Sequence, residues 1–317
     1  MRYYVGIDLG GTNIAAGLVG EDGTLIKQMS VPTKSGRSAR EIVKDMASLA
    51  KKVAEMGEIP WENIEAVGVG VPGTANRDTG MVEYANNLGF YDEPMVSMLK
   101  EELPGKSIRF DNDANAAAWG EYVAGSGKGS KSMLAVTLGT GVGGGIILDG
   151  KLFRGVNYAA GEFGHFVIDR NGIPCNCGRR GCFETYASAT ALVAQTKEAM
   201  EQHPESLLWE LCGKNIDSIE GKTLFDGARQ EDEIAKQVLT QFTEYLATGL
   251  VDLINIFQPE VLCIGGGISK AGDLLLLPLQ AIIDKEDYAA TSRNRTKITV
   301  ATLDNDAGLI GAALLES

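Results

Sequence analysis

Between Gly161 and Glu184 the chain reads Gly161-Glu162-Phe163-Gly164-His165, then Cys175-Asn176-Cys177-Gly178-Arg179-Arg180-Gly181-Cys182-Phe183-Glu184. Three of the five cysteines and one of the two histidines fall in this stretch. His165, Cys175, Cys177 and Cys182 have the types and spacing of a four-ligand zinc set. Four protein ligands leave no open position, so such a metal would be structural and not catalytic. A zinc-bound histidine keeps a second ring nitrogen, which the metal orients toward a ligand. Glu162 and Glu184 flank the knot and would be pinned near the same place. The bland alternative is a buried neutral histidine, ordinary core cysteines and two solvated carboxylates.

A second constellation is Asp111-Asn112-Asp113-Ala114-Asn115, after an apolar strand and at the opening of a helix. Asp111 or Asn112 could simply cap that helix. The functional reading makes Asp113 a general base that takes a hydroxyl proton during phosphoryl transfer, with Asn112 hydrogen-bonding to a neighbouring sugar hydroxyl. Three glycine turns, each after an apolar strand, supply backbone able to approach a nucleotide closely. The first is Asp8-Leu9-Gly10-Gly11-Thr12-Asn13, where Asp8 could orient Mg2+ through water and Thr12 offers a hydroxyl. The second begins Gly139-Thr140-Gly141, and the third is Gly265-Gly266-Gly267. Together they suit two phosphate grips and one flat contact for adenosine. None ends in the Gly-Lys-Ser/Thr of a P-loop, which argues against a Walker-type ATPase. His203, Cys212, Cys263 and the Arg179-Arg180 pair have no role assigned by spacing.

These residues need elements to hold them. Tyr3 to Leu9, Ile14 to Val19 and Leu25 to Val31 read as an antiparallel meander with turns at Gly10-Gly11 and Asp22-Gly23. Ser38-Ala39-Arg40-Glu41 is a capping box, followed by apolar Ile42, Met46, Leu49 and Val53 at helical spacing and closed by Gly57. Ile64 to Val71 and Ile108 to Asp111 read as strands, and Asp113 to about Ala124 as a helix. Val5 to Val19 (VGIDLGGTNIAAGLV) and Leu134 to Leu148 (LAVTLGTGVGGGIIL) resemble each other, aligning Asp8 with Thr137 and Gly10 with Gly139. A duplicated β-turn-β unit predicts two similar lobes facing each other across a cleft. Helices dominate from Ser188 to Phe257, Val261 to Ile264 is a strand, and Ala307 to Leu315 a short helix.

The 317 residues suffice for one large domain or two medium ones, and 44% hydrophobic residues can fill a sizeable core. The formal charge of −13 argues against nucleic acid as the main partner. It also means that ATP would be held locally, by backbone N–H groups, helix ends and metal. An odd, clustered set of cysteines fits a reducing compartment. The first strand begins at once, which leaves no room for a signal peptide, and no apolar run is long enough for a bilayer. These features predict a soluble, cytoplasmic protein.

The glycine loops, Gly161-Glu162-Phe163-Gly164-His165 and the CxCGxxGCxE element from Cys175 to Glu184 resemble the ROK family (repressors, open reading frames and kinases) over essentially the whole chain. Within the family, CNCGRRGCFETYASATA looks most like glucokinases of Gram-positive bacteria. The resemblance implies an α/β fold of the two-lobed actin/hexokinase type, with ribonuclease H-like duplicated domains and ATP and sugar between them. The expected division is a small lobe of residues 1–112 plus about 303–317 and a large lobe of residues 113–302. The resemblance implies transfer from ATP to the 6-hydroxyl of glucose, with Asp113 as base, sugar contacts from Asn87, Asn112, Glu162, His165 and Glu184, and structural zinc on His165, Cys175, Cys177 and Cys182. It also implies a homodimer, with a tetramer as the alternative. Family repressors carry a DNA-binding extension ahead of the first strand, so that branch is disfavoured here. The rival readings are a kinase for N-acetylmannosamine, N-acetylglucosamine or fructose, and a sugar sensor without catalysis.

Overall fold

The structure is a computed structural model and describes residues 1–316. Contacts divide the chain into two compact units. The first comprises Met1–Ala135, Gly145–Gly161 and the stretch from Ala301; the second comprises Val136–Gly144 and Glu162–Val300.

The first unit is built on strands β1 (Tyr3–Leu9), β2 (Asn13–Gly20), β3 (Leu25–Pro32), β4 (Ile64–Val71) and a strand at Ser107–Asn112. β1 pairs antiparallel with β2, with Asp8 opposite Ala15, and parallel with β4. The expected meander is therefore present, with β2 pairing antiparallel to β3. Helix α1 (Ala39–Met56) starts at the Ser38–Glu41 capping box and buries Ile42, Met46, Leu49 and Val53 against this sheet. Gly57 does close α1, but not through a left-handed turn: its φ is −87° and Glu58 takes the positive φ. What demands glycine there is space, since a Cβ would lie 2.2 Å from Leu18 Cδ2.

Three short strands, β5 (Thr74–Asn76), β6 (Met81–Ala85) and β7 (Phe90–Glu93), form a separate antiparallel sheet that periodicity did not predict. Helix α2 (Met95–Glu102) follows, then β8 (Ser107–Asn112) and α3 (Asp113–Ala124). The expected helix at 113–124 is thus found with those ends. The contact-defined division differs from the expected one at this point, because α3 belongs to the first unit. Its partner is the last helix, α10 (Ala307–Ala313), which packs on α3 and on β1. Backbones meet at glycines in this packing: a Cβ on Gly6 would lie 1.9 Å from Leu309 O, and one on Gly311 1.7 Å from Ala116 O.

The remaining strands are β9 (Met133–Leu138), β10 (Val142–Leu148), β11 (Lys151–Leu152), β12 (Val261–Gly265) and β13 (Lys297–Val300). The sheet orders are β3-β2-β1-β4-β8 and β11-β10-β9-β12-β13. Each is third-second-first-fourth-fifth in its own chain order, so the sequence repeat at 5–19 and 134–148 marks two copies of one topology. The boundary between the units falls inside β9 and β10. The second unit adds α4 (Glu184–Ala187), α5 (Ala189–Gln202), α6 (Leu208–Leu211), α7 (Gly221–Arg229), α8 (Glu233–Phe257) and α9 (Asp273–Glu286). Among the described residues no helix is long and apolar enough to cross a membrane.

Candidate functional site

In the first unit the β1–β2 turn is shaped by its own backbone and by the chain after β3. Gly10 N–H donates to Asn13 O at 2.9 Å, and the Thr33 hydroxyl donates to Gly10 O at 2.7 Å. Thr33 N–H donates to Thr12 O at 2.8 Å. Thr33 had no sequence signal, because its bonds join positions far apart in the chain. Asp8, next to last in β1, lies beside Gly308 of α10, where a Cβ would lie 3.1 Å from Asp8 Oδ2. Burial pushes the Asp8 carboxyl above the ordinary aspartate value. Asn87, in the turn at Asn86–Leu88, lies against the same loop: a Cβ on Gly11 would be 3.3 Å from Asn87 Cβ.

At the β8–α3 corner the capping alternative is resolved. Asn112 is the N-cap, and its Oδ1 accepts from Ala114 N–H and Asn115 N–H at 2.9 and 3.2 Å. Its Nδ2 donates to Gly73 O at 2.9 Å, so the amide keeps one N–H for a further partner. Asp113 Oδ1 accepts from Ala114 N–H at 2.8 Å. Asp111 does not cap. It is buried and paired with Arg154, whose Nε donates to Asp111 Oδ2 at 2.6 Å. A pairing across 43 positions leaves no local pattern, so Arg154 was not foreseen.

In the second unit His165, Cys175, Cys177 and Cys182 converge, their ligand atoms all within 4.8 Å of one another. His165 Nδ1 lies 3.8 Å from Cys175 Sγ, and Cys177 Sγ 3.5 Å from Cys182 Sγ. Zinc–sulfur bonds of about 2.3 Å in a tetrahedron put sulfurs roughly 3.8 Å apart, so the set fits that ion. The histidine presents Nδ1 to the sulfurs, which leaves Nε2 as its outward nitrogen. The loop that closes the set is pinned by Cys175 N–H to Arg179 O at 2.9 Å and Gly181 N–H to Ile173 O at 2.7 Å. Gly181 has a φ of 70°, and a Cβ there would fall 1.4 Å from Asp169 O. Burial pushes the Cys182 thiol up to about 12, a cost that a bound cation removes.

Both glutamates flank this cluster. Glu162 caps the turn at Phe163–His165, and its carbonyl accepts from His165 N–H at 3.1 Å. Glu184 opens α4, and its Oε2 accepts from Val142 N–H at 2.9 Å. It sits where two glycines leave room. A Cβ on Gly141 would lie 2.2 Å from Glu184 Oε2, and one on Gly164 would meet Val142 O at 2.5 Å and Glu184 Cβ at 3.2 Å. Gly141 thus makes space for a carboxylate, a role that its place in a glycine run did not suggest.

The other half of that turn faces a cavity of about 560 Å³ in the same unit. Gly139 and Thr140 line it with Gly267 and Ile268 from the turn after β12. Gly139 O accepts from Ala189 N–H at 2.8 Å, and Thr140 O from the Thr190 hydroxyl at 2.7 Å. Gly266 holds the two turns together: its φ is 87°, and a Cβ would be 2.3 Å from Leu138 O. Gly265 is the last residue of β12 and is buried there. Phe225, Lys222 and Arg229 of α7 and Lys270 complete the lining with Glu220. This volume lies in the usual range for small-molecule sites. An apolar lining with three cations against the single carboxylate of Glu220 suits a flat heterocycle joined to an anionic tail. No motif announced α7 as a wall.

The sequence profile described as the ROK family matches residues 4–317. The chain belongs to the ROK family. It is 39% identical to a glucokinase of Halalkalibacterium halodurans, covering 99% of this chain and 94% of that one. It is 39% identical to a glucokinase of Streptomyces coelicolor, covering 99% and 97% respectively. Among solved structures it is similar to a ROK family glucokinase from Streptomyces griseus in complex with glucose and AMPPNP, with a TM-score of 0.81, 36% identity and 98% of both chains covered. The fold is accordingly α/β, of the actin/hexokinase-like sugar-kinase type expected from the motifs.

Proposed function

We propose that this chain is an ATP-dependent glucokinase, transferring the γ-phosphoryl group of ATP to the 6-hydroxyl of glucose. Similarity to curated glucokinases over 99% of the chain carries the reading. The cavity beside Gly139, Thr140 and Gly267 suits the nucleoside, and Gly10, Gly11 and Thr12 offer backbone and a hydroxyl for phosphate oxygens. Asp8 would hold Mg2+ through water, and that ion would neutralise charge on the transferring phosphoryl group. Asp113 accepts the hydroxyl proton as the sugar oxygen bonds to phosphorus and ADP departs with the bridging oxygen. Glu162, Glu184, His165 Nε2, Asn87 and the remaining N–H of Asn112 read the sugar hydroxyls. His165, Cys175, Cys177 and Cys182 would hold one zinc, which fixes the ring of His165. The reading includes a cytoplasmic homodimer.

A coupled ADP-release assay over glucose, fructose, N-acetylmannosamine and N-acetylglucosamine tests it. Glucose should give the largest kcat/KM. Asp113→Ala should lower turnover by about 10²–10⁴-fold with glucose binding largely retained. Faster turnover of another hexose reassigns the substrate, and near-normal turnover in Asp113→Ala sinks the base.

A further inference from the structure

We propose that Arg154 and Asp111 are positioning residues for Asp113, an inference that rests on the kinase reading. Asp111 accepts three donors. Its Oδ1 takes Asn112 N–H and Asn115 Nδ2, both at 2.9 Å, and its Oδ2 takes Arg154 Nε at 2.6 Å. Asn112 precedes Asp113 and Asn115 lies in the first turn after it, so one carboxylate grips the chain on both sides of the base. The Asn112 cap and its bond to Gly73 O tie the same corner to the turn after β4. What remains for Asp113 is a short strand-to-helix step with fixed ends.

The charge matters as much as the bonds. Asp111 is 2% exposed and Arg154 13%. A carboxylate buried to that degree is costly unless paired, and removing one partner of such a pair leaves an uncompensated charge. Here that charge would stand two residues from a second carboxylate, whose ionisation it opposes. Arg77 is the other cation that senses Asp111 and Arg154, and its Nη2 donates to Glu316 O at 2.8 Å. Among the described residues Arg154 Nη2 and Asn115 Oδ1 are buried without a partner. The corner is organised around where it puts Asp113.

The test measures kcat and both KM values for the full chain and for Asp113→Ala, Arg154→Met, Arg154→Lys and the double variant Arg154→Met/Asp111→Asn. Arg154→Met should lower kcat about 10–100-fold with the KM values for glucose and ATP within about 3-fold of wild type, because a shift of about 1 Å in a reacting group costs on that scale. The double variant should regain about 3–10-fold over Arg154→Met, since the amide that replaces the Asp111 carboxylate still accepts at one oxygen and the lone charge is gone. Arg154→Lys keeps the charge and loses the planar fork, and should fall between wild type and Arg154→Met. It also serves if Arg154→Met does not fold. Wild-type kcat in the Arg154 variants beside an inactive Asp113→Ala overturns the positioning role and leaves the kinase reading standing. A double variant no better than a folded Arg154→Met overturns the role as well. A wild-type chain that turns over no hexose removes both.

Discussion

Gly141→Ala separates two roles for one glycine. If the glycine run grips phosphate, a methyl group there disturbs ATP. The geometry assigns Gly141 to Glu184 instead: the added Cβ would lie 2.2 Å from Glu184 Oε2 and 3.0 Å from its carboxyl carbon. Ordinary contact begins near 3.4 Å, so the carboxylate must retreat by about 1.2 Å. That movement stretches or breaks its 2.9 Å bond from Val142 N–H. A hydrogen bond to a charged acceptor contributes about 1.5–3 kcal/mol, which is roughly 10–100-fold in affinity at about 1.4 kcal/mol per decade. Losing that bond should lower the melting temperature by about 2–5 °C, and no more, because the moving atoms are the end of a flexible side chain. Initial-rate kinetics with glucose and ATP varied in turn should show a KM for glucose raised about 10–100-fold and a KM for ATP within about 3-fold of wild type. A KM for ATP raised more than about tenfold with that for glucose unchanged would refute the assignment and restore Gly141 as a phosphate grip.

Cys177→Ser removes one of four ligands, so elemental analysis of freshly purified protein should fall from one zinc per chain to well below it, and the KM for glucose should rise about tenfold or more; full zinc with unchanged KM would contradict the ligand set. Asp8→Asn should raise the melting temperature of the nucleotide-free protein at pH 8. Burial raises the Asp8 pKa, so its ionisation opposes folding as pH rises, and the gain should shrink toward the ordinary aspartate value near 4. The same variant should raise the KM for Mg-ATP, and a melting temperature lowered at pH 8 would count against the burial argument.

What could be read in advance was local. The capping box at Ser38, the meander turns and the start of α3 each depend on a few adjacent residues, and each appears where expected. The repeat at 134–148 was readable because an apolar strand, a glycine turn and a second strand survive in both copies. The cysteine cluster was readable because its ligands are nearly contiguous. By contrast, β5 to β7 are three to five residues long, too short for alternation to register. Helix α9 hid behind Pro278, which sits inside it. The wall that α7 gives the cavity, the pair Asp111–Arg154 and the seat of Glu184 on Gly141 all join positions distant in the chain. Residue type alone could not distinguish a glycine that admits a ligand from one that admits a neighbouring side chain.

The seat of Glu184 has a consequence for how this family can vary. Gly141 and Gly164 come from different turns, and only Gly141 is kept bare by the carboxylate itself; at Gly164 the nearer obstacle is Val142 O, 2.5 Å from where a Cβ would lie. Gly141 takes on a methyl group only if the glutamate at 184 gives way and strains its bond from Val142 N–H, and a shorter side chain there would release Gly141 but not Gly164. Positions 141 and 184 therefore form one inherited block. In lineages that keep the glutamate, substitutions at 141 should be purged, and where it is lost that position should begin to drift, while 164 stays glycine as long as the Val142 backbone keeps its place.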